Sequence, residues 1–226
     1  MTSIEFDAVG HSFGDRPVLK DVTLELTEHR IGIVGANGSG KSTLARMMNG
    51  LVLPDSGTVT VNGLNVAENK RKVRRQVGFI FSDPDRQIIM PTVVEDIELS
   101  LTRAVSDKRE RRRRALATLA DFGLTAQADQ PAHTLSGGQK QLLALASIMV
   151  LGPSILVADE PTTMLDLRNA TMLRDVLAGL DEQVVVLTHD LDMLTDYDRV
   201  LVLDDGEVVA DDAPAPAIAF YRARMS

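Results

Sequence analysis

One stretch restricts the fold of this chain more than any other: RIGIVGANGSGKSTLARMM, residues 30–48. An apolar run stops at a glycine, a helix-like run opens at Lys41, and between them lies G-x-x-x-x-G-K-[ST] followed by a threonine, Gly35 to Thr43. A buried strand that ends in such a loop and feeds a helix is the setting in which backbone N–H groups converge on phosphate oxygens. Asn37, Gly38, Ser39, Gly40, Lys41, Ser42 and Thr43 are therefore assigned to nucleotide binding. Lys41 would reach the terminal phosphates, and the Ser42 hydroxyl would ligate magnesium (Mg2+). A glycine-rich turn that binds nothing is the bland alternative. It leaves unexplained why the complete motif and its strand–helix context coincide.

The remaining pattern puts that loop in a parallel sheet. VGFIFS, SILVADEP and EQVVVLTHD are further continuous apolar runs, the last two separated by a helical stretch from Asn169 to Leu180. Strands alternating with helices imply an α/β fold whose parallel sheet is covered on both faces. SIEFDAV, VTLEL and SGTVTVNG, which ends on a hairpin-type Asn-Gly, read as early β structure; RVLVLDDGEVVADDAP reads as a closing hairpin. From about Glu95 to Val150 the pattern is helical, with a break at Asp129 to Pro131. The early β segments and the helical block look like additions to the core.

Composition narrows the class. The 226 residues allow one large domain or a core with a subdomain, and at 44% hydrophobic but 4% aromatic the core must be aliphatic. There is no cysteine, so neither a disulfide framework nor a thiolate metal site is available, and cytoplasm is the default. No charged-then-apolar leader follows Met1. The longest apolar run, Leu142 to Leu151, falls well short of the roughly 20 residues a bilayer requires. A net charge of -8 argues against bulk nucleic-acid binding. The basic run KRERRRR reads as a solvated helix face paired locally with Asp107 and Glu110, with lipid headgroups a minority alternative. Leu116, Leu119 and Phe122 would form its apolar face, and Met47, Met48, Met149 and Met172 read as core fillers.

A second anion-binding helix start is written in LSGGQKQ, Leu135 to Gln141, but without a lysine set to neutralise a phosphate. ILVADE ends in two acids at the carboxyl end of a strand, where ligands of such sheets bind. Asp159 is positioned to hold magnesium, and Glu160 to orient or deprotonate an attacking water. Two solvated acids would be the ordinary reading of a lone pair, and a poor one beside a phosphate loop. His189 also ends an apolar run, next to Asp190. A lone histidine is most often structural; at this strand end a contact to the γ-phosphate or the water is the reading adopted.

Gly35 to Thr43, LSGGQ, ILVADEP and His189, in this order, resemble the nucleotide-binding subunit of ATP-binding-cassette (ABC) transporters over nearly the whole chain. The resemblance implies a RecA-like P-loop NTPase core, an N-terminal antiparallel β subdomain and an inserted helical subdomain at about 87–150, all in one domain, 1–226. It also implies ATP as ligand and a head-to-tail homodimer, in which LSGGQ of one chain closes over the ATP of the other. Ser136 and the N–H groups around Gly137 and Gly138 would then complete the γ-phosphate cage, and Met164, Leu165 and Asp166 would correspond to a loop crossing the dimer interface. Phe13 would stack on adenine.

A narrower likeness lies in FSDPDRQIIMPTVVEDI and DEPTTMLDLRN, which are similar to energy-coupling-factor (ECF) importers, closest to the ATPase subunit of bacterial biotin transporters. It implies an integral membrane coupling subunit, a substrate-binding membrane subunit, and work at the cytoplasmic face of the bacterial inner membrane. Phe81 to Gln87 would line the groove that receives a helix of the membrane partner, with Asp83 and Asp85 offered to its arginines. The family's catalytic glutamine is replaced here by Ser82 and its asparagine by Asp83, so the water is assigned either to a bridge from Ser82 or to Gln87. Cobalt or nickel is the rival cargo. A non-transport ABC ATPase is disfavoured by the single cassette, and a small-molecule kinase would leave LSGGQ unexplained.

Overall fold

The computed structural model describes residues 2–225; Met1 and Ser226, the ends of the expected single domain, lie outside them. Strands β1 (Ile4–Phe13) and β2 (Arg16–Leu26) form an antiparallel hairpin. Then come β3 (Arg30–Val34), all five residues buried, and α1 (Lys41–Met48). β4 (Ser56–Val61) and β5 (Leu64–Asn65) are joined at Asn62-Gly63, where Asn62 takes a φ of 48°, as the Asn-Gly signal requires. The first strands assemble a four-stranded sheet in the order β2-β1-β4-β5.

The chain continues through α2 (Val66–Gln76), β6 (Val77–Ile80), α3 (Val93–Leu101), α4 (Lys108–Asp121) and α5 (Gly137–Met149). It closes with β7 (Ile155–Asp159), α6 (Leu167–Ala178), β8 (Gln183–Leu187), β9 (Arg199–Asp204), β10 (Glu207–Asp212) and α7 (Pro214–Met225). The second sheet has the order β10-β9-β3-β8-β7-β6. β3 runs parallel to both β8 and β9, β7 runs parallel to β8, and β10 turns back antiparallel on β9.

Two compact units result. The first comprises residues 1–79, 154–160 and 180–226, the second 80–153 and 161–179. The expected helical boundary, 87–150, lies inside the second. In the first unit the P-loop helix α1 buries Leu44, Met47 and Met48 completely. Val34, Val200 and Val202 pack with Leu194 and with Ala217 and Ile218 of α7, so that side of the sheet is dry. A Cβ on Gly32 would lie 2.8 Å from Leu194, which shows how closely chain and strand approach there.

Several local readings shift. α2 is a helix that no sequence signal announced; two buried valines, Val66 and Val73, suffice because Asn65 caps it, its side chain accepting from Ala67 N and Glu68 N. The last described element is the helix α7, opened by Pro214 at its first position, where a missing N–H does no harm. The break in the helical block is wider than Asp129–Pro131: α4 ends at Asp121, and two 3-10 turns, Thr125–Gln127 and Ala132–Thr134, precede α5. α6 begins two residues before Asn169, since Asp166 is the cap that takes Asn169 N. Met172 is exposed, lying off the Ala170–Leu173–Leu177 stripe, and Leu116 is exposed while Ala115 and Leu119 are buried.

The basic run is a solvated face. Arg113 and Arg114 both hold Glu110, whose carboxyl is thereby lowered to about 2, and Arg112 reaches Asp129 and Glu98.

The second unit is organised around a buried acid, Asp96. Asp96 Oδ1 accepts from Ile89 N (2.8 Å) and Met90 N (3.1 Å), and Oδ2 accepts from Ser147 Oγ of α5 (2.9 Å). Its position in the first turn of α3 adds the favourable end of the helix dipole. Asp96→Ala should destabilise this unit by about 2–4 kcal/mol, because three donors lose a charged acceptor. Asp96→Asn, which keeps an oxygen for the two amides, should cost about half as much; urea unfolding of the two variants checks the ratio.

Candidate functional site

The phosphate-type loop is built between β3 and α1. Gly40, at φ 102°, turns the chain into the helix, and a Cβ there would stand 2.6 Å from Val18 O of β2. Lys41 is buried, and its Nζ donates to Gly35 O (2.7 Å) and Ala36 O (2.9 Å). Burial pushes its ammonium below the usual lysine range, opposed by the charges of Glu160 and Asp159. A cavity of about 360 Å³ opens beside the loop, lined among others by Phe13, Arg16, Lys41, Ser42, Thr43 and Glu160. Phe13 stands 57% exposed at its rim, on the tip of the β1–β2 hairpin.

The two strand-end acids differ in environment. Asp159 is buried; its Oδ1 accepts from Ser42 Oγ (2.9 Å), and Arg46 lies 3.8 Å away. Burial raises its carboxyl above the ordinary value, against the pull of Ser42 and Arg46. Glu160 adopts φ 54°, in the left-handed region that a non-glycine residue enters at a cost. Its N–H donates to Leu187 O (2.9 Å), and its Oε2 meets His189 Nδ1 at 2.8 Å. An exposed histidine, a strained glutamate and a buried aspartate thus stand beside the lysine loop. The oxygen pair Ser42–Asp159 is hard-donor chemistry of the kind magnesium takes. Among the described residues no cluster of three or more His, Asp or Glu could hold a metal unaided.

In the second unit Ser136 caps α5 in a capping box: its N–H donates to Gln139 Oε1 (2.9 Å), and Gln139 N donates to Ser136 Oγ (3.3 Å). Two further side chains tie α5 to the 81–90 segment and a third ties it to α3. Gln141 Nε2 donates to Phe81 O, Lys140 bridges Asp85 at 2.7 Å, and Ser147 reaches Asp96. Asp83 caps the 3-10 turn Pro84–Arg86 and pairs with Arg86 at 3.3 Å. Both acids expected to meet a partner's arginines are therefore already engaged within the chain. Gln87 Oε1 accepts from Phe81 N (2.9 Å), so its amide closes its own loop.

Sequence reasoning missed Arg16, Arg46 and Asn169. Arg16 faces Phe13 across the hairpin register, which no motif announces. Arg46 follows Lys41 on α1 without a conspicuous pattern. Asn169 matters through Gly138, whose absent side chain makes room for it. A Cβ on Gly138 would lie 2.3 Å from Asn169 Oδ1, and Asn169 is held by N and Nδ2 donations to Asp166. On Gly137 the nearest atoms would be 3.7 Å away. Gly138→Ala should therefore destabilise the second unit by about 1–3 kcal/mol through overpacking. Gly137→Ala should be close to neutral in thermal unfolding. Equal melting of the two variants would remove the Asn169 contact as the cause.

Known proteins resemble this chain in sequence and fold. The ABC transporter family model matches residues 19–163. The biotin transport ATP-binding protein BioM of Rhizobium etli is 47% identical over 220 residues, 97% of this chain and 98% of its own. The energy-coupling factor transporter ATP-binding protein EcfA1 of Caldanaerobacter subterraneus is 39% identical over 205 residues, 88% of this chain and 74% of its own. Among solved structures, cbiO1 from Clostridium perfringens, part of the ABC transporter complex cbiONQ, superposes with a TM-score of 0.84 at 27% identity, covering 98% of this chain and 93% of that one. The dimeric cassette MJ0796 in a post-hydrolysis state bound to ADP and Pi gives 0.81 at 31% identity, covering 93% and 98%. Motifs, fold and full-length identity agree: this chain belongs to the ABC transporter family, as an ATP-hydrolysing, ATP-binding subunit of the energy-coupling-factor type.

Proposed function

We propose that this chain powers biotin import by an ECF-type transporter, working as a head-to-tail homodimer at the cytoplasmic face of the bacterial inner membrane. The observation that carries the dimer is the division of labour within one chain. The lysine-bearing loop belongs to one compact unit and the lysine-free Ser136–Gly138 helix start to the other. Each is half of an anion site. The relatives named for biotin transport support the cargo. No helix among the described residues is long and apolar enough to cross a membrane, so transport needs an integral coupling subunit and a substrate-binding membrane subunit.

The residues divide the work as follows. Asn37 to Thr43 hold the phosphates by backbone N–H groups, and Lys41 neutralises the terminal ones. Phe13 stacks on the base. Ser42 and Asp159 hold magnesium, which supplies charge neutralisation on the phosphates when bound. Glu160 accepts a proton from the attacking water, and His189 keeps its carboxylate oriented. Ser136 Oγ and the N–H of Gly138 from the second copy stabilise the developing charge, which phosphoryl transfer spreads over the equatorial oxygens. The single nucleotide-binding domain spans 1–226, with the helical part docking the membrane partner through the 82–87 segment. An arginine arriving there must displace Arg86 from Asp83 or Lys140 from Asp85.

Mixed dimers test the architecture. One Lys41→Ala chain paired with one Ser136→Arg chain carries both defects in the same composite site if assembly is head to tail. The other site stays intact, and partial ATPase activity survives. Sites built within one chain would each carry a defect, and the mixed dimer would be inactive.

The cargo is tested in cells whose only copy carries Glu160→Gln. Uptake of labelled biotin should fall to background, while cobalt and nickel uptake stays at the parent level. Loss of metal uptake with biotin uptake intact would reassign the transporter.

A further inference from the structure

The residue at the cavity rim that faces outward, Phe13, is backed by an unusual support. His11 and Phe13 form an edge-to-face pair, ring centroids 4.8 Å apart and planes at 89°. His11 is itself nearly buried, its side chain 10% exposed, and its Nδ1 lies 3.2 Å from Asp55 Oδ2. The same carboxylate accepts from Ser12 N at 2.7 Å, and Asp55 N donates to Gly10 O at 2.9 Å. One residue before β4 thus grips Gly10 and Ser12 and lies against His11 between them, immediately before Phe13.

The grip answers a mechanical problem. Phe13 ends β1 at the hairpin tip, and the pairing of β1 with β2 is irregular there, with a register shift between His11 and Ser12. An exposed ring at a loosely paired tip samples several rotamers, and fixing one of them on binding costs entropy. A ring packed edge-to-face against an anchored neighbour is already fixed. Leu19, which pairs with His11 in the β1–β2 register, gives no aromatic edge.

We propose that His11, on the strand segment that Asp55 anchors through Gly10 and Ser12, is a positioning residue that presets Phe13 for stacking on the base of the nucleotide. The inference rests on the reading of Phe13 as the base-stacking residue. Edge-to-face aromatic pairs contribute about 0.5–1.5 kcal/mol beyond their area. Their loss corresponds to a roughly two- to tenfold weaker nucleotide complex.

The test compares a ligand that has a base with one that lacks it. Binding of ATP and of inorganic tripolyphosphate is measured on the full chain and on His11→Ala, His11→Phe, Asp55→Asn and Phe13→Ala. His11→Ala should weaken ATP binding by about two- to tenfold and leave tripolyphosphate binding at the parent value. His11→Phe, which keeps a ring at this position, should fall between parent and His11→Ala. Asp55→Asn, which keeps an acceptor for Ser12 N, should weaken ATP binding less than His11→Ala and should serve if His11→Ala does not fold. Equal loss for both ligands would show that His11 supports the loop rather than the stacking ring, and would overturn the inference. Parent-like ATP binding in His11→Ala with weak binding in Phe13→Ala would overturn it alone. Parent-like binding in Phe13→Ala would overturn the stacking reading, and the inference with it.

Discussion

The parallel register of three strands is the constraint on which the site depends. Ile33 of β3 stands beside Leu187 of β8, and Leu187 stands beside Asp159 of β7. All three strands therefore end at one level, and the residues that follow share one edge. Past Ile33 the chain enters the lysine loop, past Leu187 it reaches His189, and past Asp159 it reaches Glu160. Parallel strands can be joined only by long crossovers, so these residues come from distant parts of the sequence. Their side chains nevertheless come within hydrogen-bond distance: Ser42 to Asp159, and Glu160 to His189.

That meeting is held against local preferences. Glu160 takes a left-handed backbone, Asp159 keeps a carboxylate out of water, and Lys41 keeps an ammonium out of water. Each is unfavourable alone. Together they compensate in part, since the acids draw on the lysine and the Glu160 amide closes onto Leu187 O. The dry aliphatic sheet around them, with β3, β7 and β8 buried throughout, supplies the rigidity that such strain requires.

The helical unit follows a different logic, in which polar side chains, two of them buried, do the organising. Asp96 gathers two amides and a serine, Gln141 reaches a backbone carbonyl, and Lys140 pairs with Asp85. These contacts make the 81–90 segment and the helix that begins at Ser136–Gly138 a single mechanical piece. The Gly138–Asn169 contact extends that piece to α6, so the residue that must stay small in the signature is set by an amide more than thirty positions later.

The sequence by itself determined the strand–loop–helix at Gly35 to Thr43, the apolar strands and the acids at their ends, because these signals are local. A run of buried residues, a glycine loop and a cap each carry their physics within a few positions. It was silent on α2 and α7, whose apolar faces are too small for a periodic signal and which exist because a cap or a packed sheet completes them. It also misjudged the break between α4 and α5, where 3-10 turns stand in place of regular helix. Only the tertiary structure brought Arg16 opposite Phe13, set Arg46 beside Asp159, tucked Asn169 under Gly138 and engaged Asp83 and Asp85 within their own chain. Those are pairings across a hairpin, a sheet edge or two helices, and no local pattern encodes a partner that the fold has yet to deliver.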